Sequence, residues 1–263
     1  MARLRWAAAI SAITLVTAAS VASGQEKLRF QSLDPNAPPL EATLYLPDRA
    51  GPHPAVIHSH TSGGLGSGDY LLAEALAKAG AAVFVINGFT PGRRGGATDD
   101  RAYDVAGAAR FLSADARIDR QRLAVVGASS GGVASFIALS NPKRKVPADK
   151  VFRALVMLYP GLKLGLCAEM QPREQTPMRV PTLIIAGDKD RFGSVERCKT
   201  LADDLNRFGG KAEFRVYAGA THGFDHPDAA AMSRGNDSYH PEHAQRMRAE
   251  VIAFLRPLLA LPD

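Results

Sequence analysis

The sequence predicts an α/β protein in which helices cover both faces of a mostly parallel central sheet. Short apolar runs rich in β-branched residues alternate along the chain with longer segments that have helical spacing of apolar residues. The central runs are continuously apolar, as expected for strands that are buried on both faces. No internal repeat or flexible linker divides the sequence, so these elements are expected to form one domain.

Eight segments are expected to form strands, because most of them are short, apolar and β-branched. The first two are short leading strands, and the third ends in a Thr-Ser-Gly-Gly loop. The eight segments are residues 30–33, 42–46, 55–60, 82–87, 123–127, 154–159, 182–186 and 213–217.

Five longer segments are expected to be helices. Residues 70–79 stop at Gly80, and glycine is common just beyond a helix C-terminus. Residues 99–113 begin with aspartates, whose negative charge is favourable at the positive end of the helix dipole. The other three are residues 132–139, 195–208 and the long amphipathic segment 243–259.

The composition excludes several classes of protein. Of the 263 residues, 46% are hydrophobic and 22% are charged, which is ordinary for a globular protein and unlike a disordered, collagen-like or coiled-coil chain. A chain of this length buries roughly 70–75% of its unfolded surface, so its core needs no metal or disulfide. The formal charge of +6 is too small, and the basic residues are too scattered, to indicate a nucleic-acid partner.

Residues 1–24 have the pattern of a secretory signal peptide. Arg3 and Arg5 are followed by an uncharged apolar or small-residue run at 7–22, which ends in small residues. This run of about 16 residues is shorter than the ~20 needed to span a bilayer, so we expect cleavage rather than a retained membrane anchor. The mature domain would be residues 25–263, secreted or periplasmic, with a formal charge of +6 − 2 = +4.

Ser129 is the candidate nucleophile. Residues 127–131 read Gly-Ala-Ser-Ser-Gly, between a predicted strand and a predicted helix, as a nucleophile elbow requires. The glycines permit the tight turn that lifts the hydroxyl clear of the sheet and aims the Ser130 backbone N–H at a developing oxyanion. The alternatives are a turn in which Ser129 only caps the helix, or Ser130 as the nucleophile. The glycine spacing favours Ser129.

The base and the acid that a serine nucleophile needs follow later strands. Asp188 and Asp190 come directly after the strand at 182–186, and His222 follows the strand at 213–217. The order Ser, Asp, His along the chain is that of the α/β-hydrolase fold. Asp190 is the favoured acid, and Asp188 is then expected to be a turn residue that hydrogen-bonds its own backbone.

The other histidines are assigned no catalytic role. His58 and His60 lie on or end a buried strand, so they are expected to be core or supporting residues. His222 is the favoured base, and the alternative for it is that it is an ordinary surface-loop histidine. The later histidines match no common ligand spacing, so we expect no metal site and no cofactor. They are His222, His226, His240 and His243.

Four stretches of the chain carry a family resemblance. They are the loop after the strand at 55–60, the elbow, Gly-Asp-Lys-Asp at 187–190, and Tyr-Ala-Gly-Ala-Thr-His-Gly-Phe at 217–224. Together they resemble the dienelactone hydrolase-like family of α/β hydrolases, over about residues 41–259. The resemblance implies an α/β-hydrolase fold and hydrolytic chemistry.

The same resemblance implies roles for individual residues. Asp190 matches the acid of the family and His222 matches its base. The oxyanion would be bound by the backbone N–H groups of Ser130 and Ser62, with Thr61 as the nearest alternative to Ser62.

The chain also departs from the family pattern. True dienelactone hydrolases carry a cysteine nucleophile, are cytoplasmic, and have an acidic residue in the loop after the third strand. This chain has Ser129 at the elbow, a leader segment, and Thr61 and Ser62 in that loop. The resemblance therefore implies the fold and the hydrolytic chemistry rather than a particular substrate.

These residues predict a serine hydrolase that cleaves small carboxylic esters or lactones. Ser129 would attack the carbonyl, His222 would take its proton and Asp190 would hold the imidazole, before water releases the acyl group. Two alternatives stay open. One is a serine peptidase or acyltransferase with the same triad, and the other is a catalytically silent binding protein on the same fold.

The substrate site is expected to be open. Residues 160–181 contain four prolines, which indicates a loop rather than a cap domain. The loop at 90–95 offers Arg93 and Arg94 as groups that could bind a substrate carboxylate. The alternative is that these arginines are solvated or pair with nearby aspartates. Those aspartates are Asp99, Asp100 and Asp104.

Cys167 and Cys198 are the only cysteines. One follows the sixth predicted strand and the other lies in the helix after the seventh, so neighbouring strands could bring them together. A disulfide is expected in an oxidising compartment, and the alternative is two separate buried thiols.

Overall fold

An eight-stranded sheet forms the centre of the computed structural model, which describes residues 24–91, 98–140, 151–162, 165–168, 170, 178–228 and 239–263. Ten strands lie within these residues. They are β1 (Gln25–Phe30), β2 (Leu40–Tyr45), β3 (His53–Ser59), β4 (Ala82–Asn87), β5 (Ile118–Ala128), β6 (Phe152–Leu158), β7 (Gly161–Leu162), β8 (Gly165–Leu166), β9 (Thr182–Gly187) and β10 (Ala212–Tyr217). β7 and β8 form a separate pair, and the others form the sheet in the order β1-β2-β4-β3-β5-β6-β9-β10.

The sheet is mostly parallel. The pairs β1–β2 and β2–β4 are antiparallel, and every pair from β4 across to β10 is parallel. All seven residues of β3 and all six of β9 are buried, because both faces of these central strands are covered. This arrangement confirms the predicted α/β architecture.

Five helices lie within the described residues, and they pack on both faces of the sheet. They are α1 (Ser67–Lys78), α2 (Thr98–Ser113), α3 (Ser130–Ser140), α4 (Glu196–Arg207) and α5 (Pro241–Leu259). α1 connects β3 to β4, whereas α2 runs back from β4 to β5 on the other side of β3. Right-handed crossovers that progress in opposite directions place their helices on opposite faces. Consistent with this, α2 packs on α3 and α1 contacts α5.

The predicted position of the first strand was wrong. The sequence predicts a strand at 30–33, but β1 spans Gln25–Phe30 and pairs with β2 at the edge of the sheet. Its residues alternate between exposed and part-buried up to Phe30, with Lys27 and Arg29 among them. A half-exposed edge strand lacks the continuous apolar run on which the prediction relied.

The carboxyl ends of the parallel strands meet at one edge of the sheet. In an open α/β sheet this edge is where ligands bind. The turn after β5 and the loops after β3, β9 and β10 all start there, and each carries residues that the sequence singles out. The fold therefore collects distant parts of the chain at a single place.

A disulfide joins Cys167, just after β8, to Cys198 in α4. Both residues are buried. Nearby, the Leu166 N–H donates a hydrogen bond to the Phe192 carbonyl at 3.1 Å, and the Cys167 N–H donates one to the Pro160 carbonyl at 2.8 Å. The covalent bond and the Leu166–Phe192 hydrogen bond tie the segment after β6 to the segment after β9, while the Cys167–Pro160 hydrogen bond closes a turn within the first of these segments.

Polar contacts attach the loop after β10 to the start of α1. The His226 side chain lies against Gly68, where a Cβ would come within 2.8 Å of the imidazole, so this approach requires glycine. Asp228 accepts two hydrogen bonds from Ser67, one from its N–H at 3.1 Å and one from its hydroxyl at 2.9 Å. The loop that continues from β10 is thereby held to α1.

His226 lies among three carboxylates. Burial alone lowers the pKa of His226, but the charges of Asp225, Asp69 and Asp228 together raise it by more, so that its pKa lies above the ordinary value. The charged imidazole therefore stabilises the folded state.

Replacement of His226 by glutamine should remove a stabilisation that depends on pH. Because the folded pKa is raised above the unfolded value of about 6.5, the stabilisation is complete below that pH and is lost as pH rises through the folded pKa. We expect the difference in free energy of unfolding between wild type and His226→Gln, measured by urea denaturation, to shrink between about pH 5 and about pH 9. A difference that stays constant or grows would contradict this assignment.

Candidate active site

Ser129 occupies a tight turn between β5 and α3, with a positive φ of 52°. Its N–H donates to the Leu158 carbonyl at 2.9 Å, and its own carbonyl accepts from the Gly132 N–H at 2.9 Å. A side chain at Gly131 would collide with the carbonyl oxygen of Ser59, so α3 can begin this close to β3 only with glycine at that position. The strand–turn–helix arrangement expected of an elbow is present.

The structure brings Ser129, His222 and Asp190 into one hydrogen-bonded chain. The His222 Nε2 lies 2.9 Å from the Ser129 Oγ, and its Nδ1 lies 2.7 Å from the Asp190 Oδ2. Because a carboxylate can only accept, Nδ1 carries the proton of the neutral ring and Nε2 is left to accept from the serine hydroxyl. The three residues are 4%, 7% and 6% exposed, so the chain is shielded from water.

Asp190 contacts the imidazole, and Asp188 does not. The second carboxylate oxygen of Asp190 accepts the Phe192 N–H at 2.9 Å, which holds the carboxylate in place. Asp188 is exposed and accepts the Gly219 N–H at 2.7 Å. It therefore braces the turn after β10, three residues before His222, and does not bond its own backbone as the sequence suggested.

Two aromatic rings contact the imidazole of His222. The Phe192 ring lies 4.3 Å from it and the Tyr159 ring lies 4.9 Å from it, measured between centroids. The Tyr159 hydroxyl donates to Asp225 at 2.7 Å. Burial and the charge of Asp225 raise the pKa of Tyr159 well above its usual value, so the phenol stays protonated and remains a donor. These contacts restrict rotation of the imidazole.

The two candidate oxyanion donors belong to segments that touch. Ser130 is the first residue of α3, and Ser62 is exposed in the turn after β3. A Cβ on Gly131 would lie 2.5 Å from the His60 carbonyl oxygen, so the start of α3 rests on the end of this strand. The Ser130 hydroxyl accepts a hydrogen bond from Arg101 at 2.6 Å, which occupies the side chain that was the alternative nucleophile.

Arg101 is a residue that sequence reasoning misses. Its guanidinium is buried and donates to the Ser130 hydroxyl, to the Ser59 hydroxyl at 3.2 Å, and to the His60 carbonyl. The sequence feature that could have identified Arg101 is its place on α2, one helical turn before Val105 on the buried face. A cation on a buried helix face is unusual enough to indicate a specific partner.

His60 is a supporting residue, as its position at the end of a buried strand suggests. It is 1% exposed. Its Nε2 accepts the Gly88 N–H at 2.9 Å, and its Nδ1 lies 2.5 Å from the Thr61 carbonyl oxygen. Burial, followed by the charge of Arg101, lowers the pKa of His60 to about 3, so the ring is neutral at ordinary pH.

Some predicted residues cannot be placed. Arg93 and Arg94 lie outside the described residues, as do residues 1–23 of the leader. Within the described ranges, no group of three or more histidine, cysteine, aspartate or glutamate side chains could hold a metal ion.

Several solved structures share this fold. P91, a dienelactone hydrolase-like promiscuous phosphotriesterase from metagenomic libraries, is 18% identical with a TM-score of 0.73, over 89% of this chain and 98% of that chain. Esterase 2 of Thermogutta terrifontis, phosphonylated by sarin, is 17% identical with a TM-score of 0.71, over 91% and 97%. MGS-M1, an α/β hydrolase from a Medee basin deep-sea metagenome library, is 16% identical with a TM-score of 0.67, over 91% and 100%.

The family assignment comes from the sequence model. A comparison with curated proteins finds no significant match. The model of the dienelactone hydrolase family matches residues 93–259, well over half of the chain. The solved structures agree with the fold that this family implies. The chain therefore belongs to the dienelactone hydrolase family.

Proposed function

We propose that this member of the family is a serine hydrolase that cleaves carboxylic esters or lactones through an acyl-enzyme. The observation that carries the proposal is the hydrogen-bonded chain from Asp190 through His222 to Ser129. Membership of a hydrolase family supports hydrolytic chemistry. Two of the similar structures are named for an esterase and a phosphotriesterase, which is consistent with an ester as substrate.

The geometry supports a two-step reaction. The Ser129 oxygen attacks the substrate carbonyl carbon while its proton moves to the His222 Nε2, 2.9 Å away. The imidazolium then gives this proton to the departing alcohol oxygen, and the acyl group stays on the serine. A water molecule repeats the sequence and releases the acid. Asp190 holds the Nδ1–H tautomer and stabilises the imidazolium throughout.

Backbone amides would bind the oxyanion in both steps. Ser130 lies at the N-terminus of α3, where helix N–H groups have no intrahelical partner and the helix dipole favours negative charge. Ser62 would supply the second N–H, with Thr61 as its alternative. Each such donor contributes about 10²–10³ in rate in comparable sites.

The substrate is proposed to be small or only partly enclosed. Phe89, in the segment after β4, is 45% exposed and its ring lies 5.3 Å from the His60 ring, measured between centroids. An exposed aromatic ring beside the turn that carries Ser62 offers an apolar contact for one part of the ester. Arg93 and Arg94 follow Phe89 closely in the sequence and are proposed to bind a carboxylate on the substrate.

We also propose that the enzyme acts outside the cytoplasm after residues 1–24 are removed. The charged, apolar and small-residue order of this leader supports the proposal. A disulfide is typical of oxidising compartments, and the chain has one between Cys167 and Cys198. None of the helices in the described residues is long and apolar enough to cross a membrane.

Replacement of Ser129 by alanine should abolish covalent labelling by a fluorophosphonate probe, because the oxygen that bonds to phosphorus is removed. Mass spectrometry of the intact protein measures the added mass. The matched control is Ser140→Ala at the far end of α3, which should be labelled like wild type. Labelling of Ser129→Ala at the wild-type rate would reject Ser129 as the nucleophile.

The two aspartates of the loop after β9 should differ sharply in their effect on catalysis. Asp190→Asn should lower kcat by about 10³–10⁴, because the amide can donate to Nδ1 and so favours the wrong tautomer of His222. Asp188→Asn keeps this contact and should lower kcat by less than about tenfold. Steady-state kinetics on a p-nitrophenyl ester measure both. The reverse ranking would assign the acid to Asp188.

Removal of Arg93 or Arg94 should affect anionic substrates selectively. If either guanidinium binds a carboxylate, the alanine variant should lose about 10–10²-fold in kcat/KM on an ester that carries a carboxylate, with little change on a neutral ester of the same size. The ratio of the two kcat/KM values is the measurement. An equal loss on both esters would rule out carboxylate binding by that residue.

A further inference from the structure

The loop after β3 contains two carbonyl groups whose orientation is fixed by side chains. In a trans peptide the N–H points away from the C=O of the same peptide unit, so a partner that holds the carbonyl also sets the direction of the N–H. The carbonyl of His60 shares its peptide unit with the Thr61 N–H. The carbonyl of Thr61 shares its unit with the Ser62 N–H. These two amides are the candidate oxyanion donors of this loop.

The imidazole of His60 holds the second of these peptide units. The Gly88 N–H donates to Nε2 at 2.9 Å, so Nε2 carries no proton and the neutral ring must carry its proton on Nδ1. Nδ1 lies 2.5 Å from the Thr61 carbonyl oxygen and therefore donates to it. The backbone of Gly88 thus selects the tautomer. The His60 Nδ1–H, together with the Gly64 N–H that donates to the same carbonyl at 3.3 Å, holds the peptide that ends in the Ser62 N–H.

Arg101 holds the first peptide unit and links it to the nucleophile turn. Its Nη2 donates to the His60 carbonyl and to the Ser59 hydroxyl, and its Nη1 donates to the Ser130 hydroxyl at 2.6 Å. One planar, rigid cation therefore contacts both segments that carry candidate oxyanion donors. Lysine could not reproduce this pattern, because it lacks the fixed fork of guanidinium donors.

We infer that His60 and Arg101 are positioning residues that set the direction of the oxyanion-binding amides in the loop after β3 and hold that loop against the start of α3. The inference rests on the proposed function, because it assigns the two residues to the oxyanion hole of that reaction. Neither residue is required to touch the substrate; each acts through the backbone that it holds.

The electrostatics of the pair agree with this role. Burial and the charge of Arg101 lower the pKa of His60 to about 3. The ring therefore keeps Nε2 unprotonated towards Gly88 across the ordinary pH range, and the orientation of the Thr61 peptide does not change with pH. Loss of either residue should lower the rate without moving the pH profile.

The test compares His60→Phe and Arg101→Gln with wild type. Steady-state kinetics on a p-nitrophenyl ester give kcat and KM, and a trifluoromethyl ketone with the same acyl chain gives an inhibition constant. The ketone adds to the Ser129 oxygen, passes the serine proton to His222 and leaves its own oxygen as the oxyanion, so its affinity reports on the oxyanion hole.

Each variant should lower kcat by about 10²–10³, as for loss of one oxyanion donor. The inhibition constant of the ketone should rise by the same factor, while KM and the midpoint of the pH profile of kcat/KM stay as in wild type. The matched controls are His53→Phe, at the other end of β3, and Arg110→Gln, which is exposed on α2. Both should leave kcat and the inhibition constant within about threefold of wild type.

Three results would overturn the inference alone, given a wild type that hydrolyses the ester. They are an unchanged kcat in both variants, a fall in kcat with an unchanged inhibition constant, and a shifted pH midpoint, which would indicate an effect on the base instead. A wild type that neither the ketone nor a fluorophosphonate modifies would overturn the proposed function, and the inference with it.

A measurement on wild type tests the tautomer of His60, on which the inference depends, even where the variants do not fold. In protein labelled with ¹⁵N-histidine, the NMR shifts of the ring nitrogens report the tautomer of His60. We expect a neutral ring with its proton on Nδ1 at every pH from about 5 to about 8. A proton on Nε2 anywhere in this range would overturn the inference, since the ring could not then accept from Gly88 and donate to Thr61.

Discussion

The close contact between the start of α3 and the end of β3 is the constraint on which the site depends. Glycine at 131 lets the helix backbone approach the carbonyl oxygens of Ser59 and His60 to a distance that no side chain would permit. The turn at Ser129, which leads into this helix, has a positive φ. The close approach places the first N–H groups of α3 beside the loop after β3. Ser129 and both candidate oxyanion segments therefore lie at one backbone contact.

Much of this arrangement could be predicted from the sequence, because its determinants are local. The continuous apolar runs of β3 to β6 and β9 identify buried parallel strands, and functional side chains that follow such strands must meet at one edge of the sheet. This geometry brings Ser129, Asp190 and His222 together despite their distance along the chain. The spacing of glycines around Ser129 indicated the turn, since few other residues permit it.

What could not be predicted depends on contacts between distant segments. The position of β1 was not predicted correctly, because an edge strand with Lys27 and Arg29 lacks an apolar run. Arg101 gave little signal, because Ser130, Ser59 and His60, to which it donates, belong to two other segments of the chain and no local pattern connects them. The distinction between Asp188 and Asp190 likewise depends on which way each carboxylate points after β9.

The covalent link between Cys167 and Cys198 connects the geometry of the candidate site to the redox conditions under which the chain folds. It closes a loop that includes Phe192, whose ring packs on the imidazole of His222. A chain that folds under reducing conditions keeps two thiols instead, and Phe192 is then held only by packing and by its two backbone hydrogen bonds, to Leu166 and to Asp190. The place of this ring beside His222 would therefore be held less firmly in the reduced chain than in the oxidised one.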